Sequence, residues 1–266
     1  MEPKYLVSID VKKCIGCGLC SRDCPSRILG IRNGKAELSS QQCIKCGHCV
    51  AICPKEAVRI SDYDMREIRA NDEDVHRIDA EALLDAIRFR RSVRHFRDEE
   101  IERVKLEKII EAGRFTPTAR NRQNVRFIVL QNDIPDIENE SLKAFRKLIG
   151  PAGAVSRLIK LPVDVSKFEL KPGFLFFGAP AVILTVSDSE VDASLASTSM
   201  ELTAEALGLG TVYVGLFTAY ANLSVKLRKS LGLGLSEKLV TCLALGYPDV
   251  RYCRSAPRKK ADVIWR

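Results

Sequence analysis

No apolar run in this sequence is long enough to cross a bilayer. The most apolar stretch, FLFFGAPAVILTV at residues 174–186, has 13 residues and is broken by Gly178 and Pro180, where a spanning helix needs about 20. It reads as a loop entering a buried strand. The opening residues MEPKYLVSID hold no basic segment followed by an apolar one, so no signal peptide is expected and the expected location is cytoplasmic. Neither G-x-G-x-x-G nor G-x-x-x-x-G-K occurs, which excludes by fingerprint a dinucleotide-binding crossover and a P-loop. With 46% hydrophobic and 29% charged residues, the chain is neither disordered nor a membrane protein in composition. Its 266 residues suit one large domain or two.

What the chain has in excess is cysteine, concentrated at one end. Eight of the ten fall in two runs, CIGCGLCSRDCP at residues 14–25 and CIKCGHCVAICP at residues 43–54, while Cys242 and Cys253 stand alone. Residues 14–29 and 43–58 align without gaps, each run closing on an apolar pair, Ile28-Leu29 or Ala57-Val58. Secreted disulfide scaffolds are small and carry a targeting signal. Thiols two residues apart, three in a row, pair poorly with each other and converge well on one metal centre. Zinc sites use two C-x2-C pairs around a longer loop; the triple run, the C-P ending and the duplication favour iron–sulfur. A cubane needs a thiolate at each of four irons. Three closely spaced cysteines wrap one face, and the fourth, before the proline, ligates the other cluster. The expected ligand sets are Cys14, Cys17, Cys20 and Cys53 for one cluster, and Cys43, Cys46, Cys49 and Cys24 for the second. Gly18 and Gly47 let the backbone pass close and donate N–H groups to cluster sulfur. His48, between ligands, is expected to face solvent.

Around these runs, YLVSID alternates as a strand, and ILGIRNGKAEL reads as two short strands about an Asn33-Gly34 turn. The repeat of strand, cysteine loop and short helix resembles a bacterial-type ferredoxin with two [4Fe–4S] clusters over residues 1–62. The net charge of +8 would suit nucleic acid. Two clusters contribute roughly −4 and a phosphate monoester about −2, so no nucleic-acid partner is expected.

Residues 63–78 are polar and read as a linker, after which residues 79–266 form a second domain. Asp79 can cap a helix whose Leu83, Leu84 and Ile87 share a face. Helices are expected near 80–90, 99–113, 139–149, 192–208 and 222–231, and strands at 125–130, 180–186, 211–217 and 238–246. After the first helix comes RFRRSVRHF, residues 88–96, five basic side chains beside a serine. Forked donors of this kind suit a phosphate, although a basic helix end is also common because it complements the macrodipole.

In order along the chain, Arg90-Arg91-Ser92-x-Arg94-x-Phe96, then EAGRFTPTARNRQNVRFIVL, GAPAVILTVSD, ELTAEALGLGTVYVGLF and LALGYP resemble the nitroreductase family of flavoenzymes over residues 80–266. The resemblance implies FMN bound at a homodimer interface, in an α+β domain with a central, mainly antiparallel sheet flanked by helices. It assigns Arg90, Arg91, Ser92 and Arg94 to the phosphate and flavin, and Thr118 and Asn121 to a second flavin segment. It places a main-chain N–H of Gly215 or Leu216 near N5, and Arg258 and Lys260 on the phosphate. The sequence departs from the family where Asn124 and Val125 replace a proline and an aromatic, and Arg120 a glycine. No general acid is assigned. Cys242 is expected to be a buried hydrophobe, His95 a surface residue and Trp265 a packing anchor, with Tyr213 and Phe217 in the core or facing flavin.

The combined expectation is an α+β protein: a ferredoxin-like 2[4Fe–4S] domain followed by an FMN-dependent oxidoreductase domain, homodimeric, with no membrane partner. Electrons from reduced ferredoxin or a similar carrier would reach FMN and then a small organic acceptor of nitroaromatic or quinone type. The rivals are NAD(P)H reducing FMN, with the clusters feeding a protein acceptor, and a pure electron carrier without small-molecule turnover.

Overall fold

The structure, a computed structural model, describes residues 6–40, 42–72, 77–149 and 169–266, with the backbone alone at 147–149. Tyr5 of the first expected strand and residues 73–76 of the expected linker lie outside the described residues. By its internal contacts the chain forms two units: Met1–Arg77 with Thr118–Arg122, and Ile78–Pro117 with Gln123–Arg266. Among the described residues no helix is long and apolar enough to cross a membrane.

The first unit is built on the cysteine repeat. Strand β1 (Val7–Ile9) pairs antiparallel with β4 (Val58–Ile60). Strands β2 (Leu29–Arg32) and β3 (Lys35–Leu38) form a hairpin. Its Asn33 and Gly34 have φ of 49° and 71°, the two left-handed residues that fit a tight turn to the twist of its strands. Helices α1 (Leu19–Arg22) and α2 (His48–Ala51) occupy equivalent repeat positions, opened by Gly18 and Gly47 at φ 75° and 77°. The equivalence extends to Gly16 and Lys45 (φ 68° and 56°) and to Arg27 and Glu56 (φ 51° and 48°). The same loop geometry is thus written twice. Val7, Ile28, Leu29, Ala57, Val58 and Ile60 form a small core with Cys14, Cys20 and Cys49.

The second unit centres on a four-stranded antiparallel sheet of order β5-β6-β8-β7: β5 (Arg126–Leu130), β6 (Ala181–Ser187), β8 (Lys238–Gly246) and β7 (Gly210–Tyr213). All seven residues of β6 are buried, so both faces of the sheet are covered. Val182, Leu184 and Val186 join one core with Phe176 and Phe217, and Ala181 and Ile183 join another with Ile109 and Met200. Helix α4 (Arg103–Arg114) packs on α6 (Glu190–Ala206), which lies against β6, β7 and β8. Helix α3 (Ala80–Phe89) is capped by Asp79, whose carboxylate accepts from the Ala82 N–H at 2.8 Å. The segment after α3 runs beside β7: Ser92 bridges Thr211, and the Val93 N–H donates to the Thr211 carbonyl at 2.9 Å. A side chain at Gly210 would press on Val93, so that glycine admits the segment to the sheet edge.

Three sequence-based expectations change. The strand expected at 211–217 ends at Tyr213, and residues Gly215–Leu223 form helix α7. Val214, at φ −101° and ψ 75°, breaks the strand, and Phe217 and Ala221 bury one helical face four residues apart. The helix expected at 222–231 is accordingly the shorter α8 (Val225–Ser230). The helix expected at 139–149 is α5, Ile134–Ile149, with Pro135 tolerated in its first turn.

Candidate functional site

The repeat folds its eight cysteines into two separate groups. Cys14, Cys17, Cys20 and Cys53 line one chamber with Ile9, Ile15 and Ile31, a recess of about 360 Å³ that includes its opening to solvent. Cys24, Cys43, Cys46 and Cys49 line a second with Val7, Ile44 and Ile60, about 330 Å³. Three cysteines of each group come from one loop and the fourth from the start of the other repeat's final turn. Among the described residues no three Cys, His, Asp or Glu side chains close on a single-ion site; each quartet instead lines a recess.

The local electrostatics follow the same grouping. Burial pushes the Cys49 thiol up to about 11, with Cys43, Cys46 and Cys24 adding to the effect. Burial also raises Cys20, partly offset by the Ser21 N–H, with Cys53, Cys14 and Cys17 adding. Four thiolates cannot share so apolar a hole without a cationic centre to offset them. Backbone N–H groups already point at sulfur: Ala36 to Cys14 at 3.4 Å, Lys45 to Cys43 and Ala57 to Cys53, both at 3.3 Å. The Ala36 N–H is the main cause of a lowered Cys14 pKa. Such donors hold a cluster's sulfur ligands and tune its potential. The donor set and the space fit two four-iron clusters. His48 faces solvent, with Nδ1 3.0 Å from Asp23 Oδ2.

Asn121 belongs to the first unit. Its Nδ2 donates to the Lys45 carbonyl at 2.9 Å, the Ile44 carbonyl at 3.2 Å and the Tyr63 hydroxyl at 3.3 Å. Tyr63 in turn donates to the Lys45 carbonyl at 3.0 Å. Thr118 accepts the Asn121 N–H through its carbonyl. Arg120 and Asn121 have φ of 56° and 53°, so an arginine here takes a left-handed conformation that glycine adopts without strain.

In the second unit the basic segment divides. Arg90 Nη1 donates to Glu201 Oε1 at 2.6 Å, with Glu201 almost fully buried. A carboxylate 111 residues away leaves no local signal, and sequence reasoning missed this pair. Arg91 and Ser92 are half-buried. Arg94 is exposed, its guanidinium 5.8 Å from the centre of the Phe177 ring. Gly215 and Leu216 are exposed at the start of α7, where main-chain N–H groups lack intrahelical acceptors. Arg258 and Lys260 lie in residues 250–266, which contain no helix or strand and are exposed almost throughout. Phe217 is fully buried, edge-on to Phe176 at 5.0 Å, while Tyr213 is 38% exposed. Cys242 is buried, its thiol raised by desolvation, and Cys253 is exposed.

Comparison with known proteins places both halves. Residues 87–247, more than half of the chain, match the nitroreductase family, and residues 6–54 match a 4Fe-4S dicluster domain. The chain belongs to the nitroreductase family of oxidoreductases. No curated protein matches it significantly. Among solved structures, a nitroreductase with bound FMN from Bacteroides fragilis is 20% identical, with a TM-score of 0.56, over 69% of this chain and 98% of that one. One from Desulfitobacterium hafniense, also with bound FMN, is 24% identical, with a TM-score of 0.53, over 68% and 98%. An FMN-dependent nitroreductase from Clostridium difficile is 19% identical, with a TM-score of 0.51, over 69% and 98%. At these identities the likeness speaks for the fold.

Proposed function

We propose that this protein is a cytoplasmic FMN-dependent oxidoreductase. It would pass electrons from a reduced carrier through two [4Fe–4S] clusters to FMN, and on to a small organic acceptor of nitroaromatic or quinone type. The observation that carries the reading is the pair of four-cysteine chambers in a chain of the nitroreductase family. The proposed ligand sets are the two quartets as they line those chambers. When bound, the clusters supply one-electron steps, and FMN supplies a centre that accepts electrons singly and delivers two together.

The chain's own residues would hold the flavin as follows. Arg91, Ser92 and Arg94 supply forked and hydroxyl donors to phosphate and ring oxygens. The N–H groups of Gly215 and Leu216, at the positive end of α7, favour negative charge developing on a reduced ring. Arg258 and Lys260 contribute from the tail. Arg90, assigned with them by the resemblance, has its guanidinium held by Glu201. Thr118 and Asn121 complete the set that the resemblance implies, with the Asn121 amide committed first to the second cysteine loop. A second copy of the chain is proposed to cover the apolar residues left open on this one. Leu83, Leu84 and Ile87 of α3 are each at least 40% exposed, and Trp265 is 91% exposed in the extended tail. Large exposed apolar patches mark interaction sites.

The test is anaerobic purification with iron, sulfide and flavin quantified, then stepwise reduction followed in the visible spectrum. About eight irons and one FMN per chain, with bleaching by reduced ferredoxin faster than by NAD(P)H, are expected. Zinc in place of iron, or no flavin, overturns the proposal.

A further inference from the structure

The repeat writes the same loop twice, yet the two copies present different surfaces. In the first loop Ile15 is 59% exposed, the nearby Ile31 43% and Val11, in the turn leading into the loop, 58%; Cys17 is exposed as well. In the second loop the equivalent Ile44 and Cys46 are half-buried. There Lys45 pairs with Asp62, and the Ile44 and Lys45 carbonyls accept from Asn121. Lys55 lines the first chamber and is exposed, and Lys12 and Lys13, the two residues before Cys14, are exposed as well. Among the described residues that line the chamber none is a carboxylate; Asp10 and Glu56 lie next to it in sequence, Asp10 accepting from the Lys12 and Lys13 N–H groups.

We infer that the rim of the first chamber, formed by Val11, Lys12, Lys13, Ile15, Ile31 and Lys55, is the docking surface for an acidic one-electron carrier protein. The inference rests on the electron route proposed above and adds to it which chamber faces the carrier and by what chemistry. Exposed apolar residues with lysines beside them fit a partner whose own redox centre lies under an apolar patch bordered by carboxylates. Lysines steer the encounter, and the isoleucines exclude water once it forms. Each encounter moves one electron: the carrier is oxidised by one, the chain is reduced by one, and no bond or proton moves. Transfer across an interface falls steeply with distance, so the chamber whose loop exposes Ile15 and Cys17, and not the one whose loop carbonyls are held by Asn121, is the port.

The test uses the full, anaerobically loaded chain and a reduced acidic ferredoxin in stopped flow, with dithionite as a small reductant. The variants are the double substitution Lys12→Glu with Lys13→Glu, Ile15→Ser, and a control in the second unit, Lys229→Glu. The expected result is a second-order rate that falls about tenfold in the double variant and is weakened by salt in the wild type. Reduction by dithionite, iron content and the control variant's rate should stay unchanged. Equal ferredoxin rates in wild type and double variant overturn the docking assignment and leave the electron route standing. A double variant that sediments at half the wild-type mass, with its ferredoxin rate unchanged, shows the rim to be covered by a second copy and overturns it equally. Reduction by NAD(P)H with no exchange with ferredoxin in either direction overturns the electron route itself, and the docking surface with it.

Discussion

The two cysteine loops are the same device held in different ways. Gly16 and Lys45 occupy equivalent left-handed positions. At Gly16 the hairpin comes so close that an added side chain would collide with the Gly34 carbonyl, and Lys35 Nζ donates to the Cys14 carbonyl at 2.5 Å. At Lys45 there is no hairpin, so a long side chain fits and pairs with Asp62. Its carbonyl is taken by Tyr63 and Asn121. One loop is supported by the hairpin that joins the two cysteine runs, the other by residues beyond the second run. Cluster chemistry fixes the backbone path and leaves the support to whatever packs nearby.

The largest expected effect tests that asymmetry directly. Gly16→Ala places a Cβ against backbone in a left-handed conformation, which should destabilise by about 3 kcal/mol or more. Iron should fall from about eight per chain toward about four. Lys45→Gly removes a left-handed side chain and one exposed ion pair, effects of opposite sign that should leave stability within about 1 kcal/mol of wild type. Equal losses from both substitutions, measured as iron content and melting temperature, would break the comparison. Next in size is Asn121→Ala, which leaves two half-buried carbonyls of the second loop without this donor and should cost about 1–2 kcal/mol. Amide exchange should quicken at residues 44–47 and stay unchanged at 15–18. Ser21→Ala removes an Oγ donor to the Leu29 carbonyl at 2.7 Å and should cost about 1 kcal/mol. The second repeat has Val50 there, so its melting behaviour carries no counterpart.

What could be read in the sequence follows the same division. The loops, the two short helices and the Asn33-Gly34 hairpin depend on residues a few positions apart, and all were legible. The strands at 126–130, 181–187 and 238–246 were legible because each is a short apolar run bounded by breakers. The stretch after Tyr213 was not. An apolar run with a glycine suits strand or helix equally, and burial of Phe217 and Ala221 decided for helix. The contacts that distinguish the loops, Asn121 to Ile44 and Lys45, span 77 and 76 residues. The pair that engages Arg90 spans 111. A single sequence carries no local mark of such partners, so Asn121 and Arg90 could be singled out without the side chains they meet.

The smallest effect concerns a polar link between the short helices. Asp23 and His48 meet across α1 and α2 at 3.0 Å, both partly exposed. Their equivalents in the opposite repeats are Ile52 and Leu19, so the duplication kept an apolar pair of positions on one side and a polar pair on the other. An exposed pair of this kind is worth at most about 1 kcal/mol, because water screens it and two side chains must be ordered to make it. Ile52 packs on the small core, and truncating such a side chain costs about 2 kcal/mol or more. Asp23→Asn should therefore lower the melting temperature less than Ile52→Ala. Its effect should fade in about 0.5 M salt, while that of Ile52→Ala persists. If the order is reversed, the polar side holds the two repeats together, and the repeat's cohesion is electrostatic where the packing makes it hydrophobic.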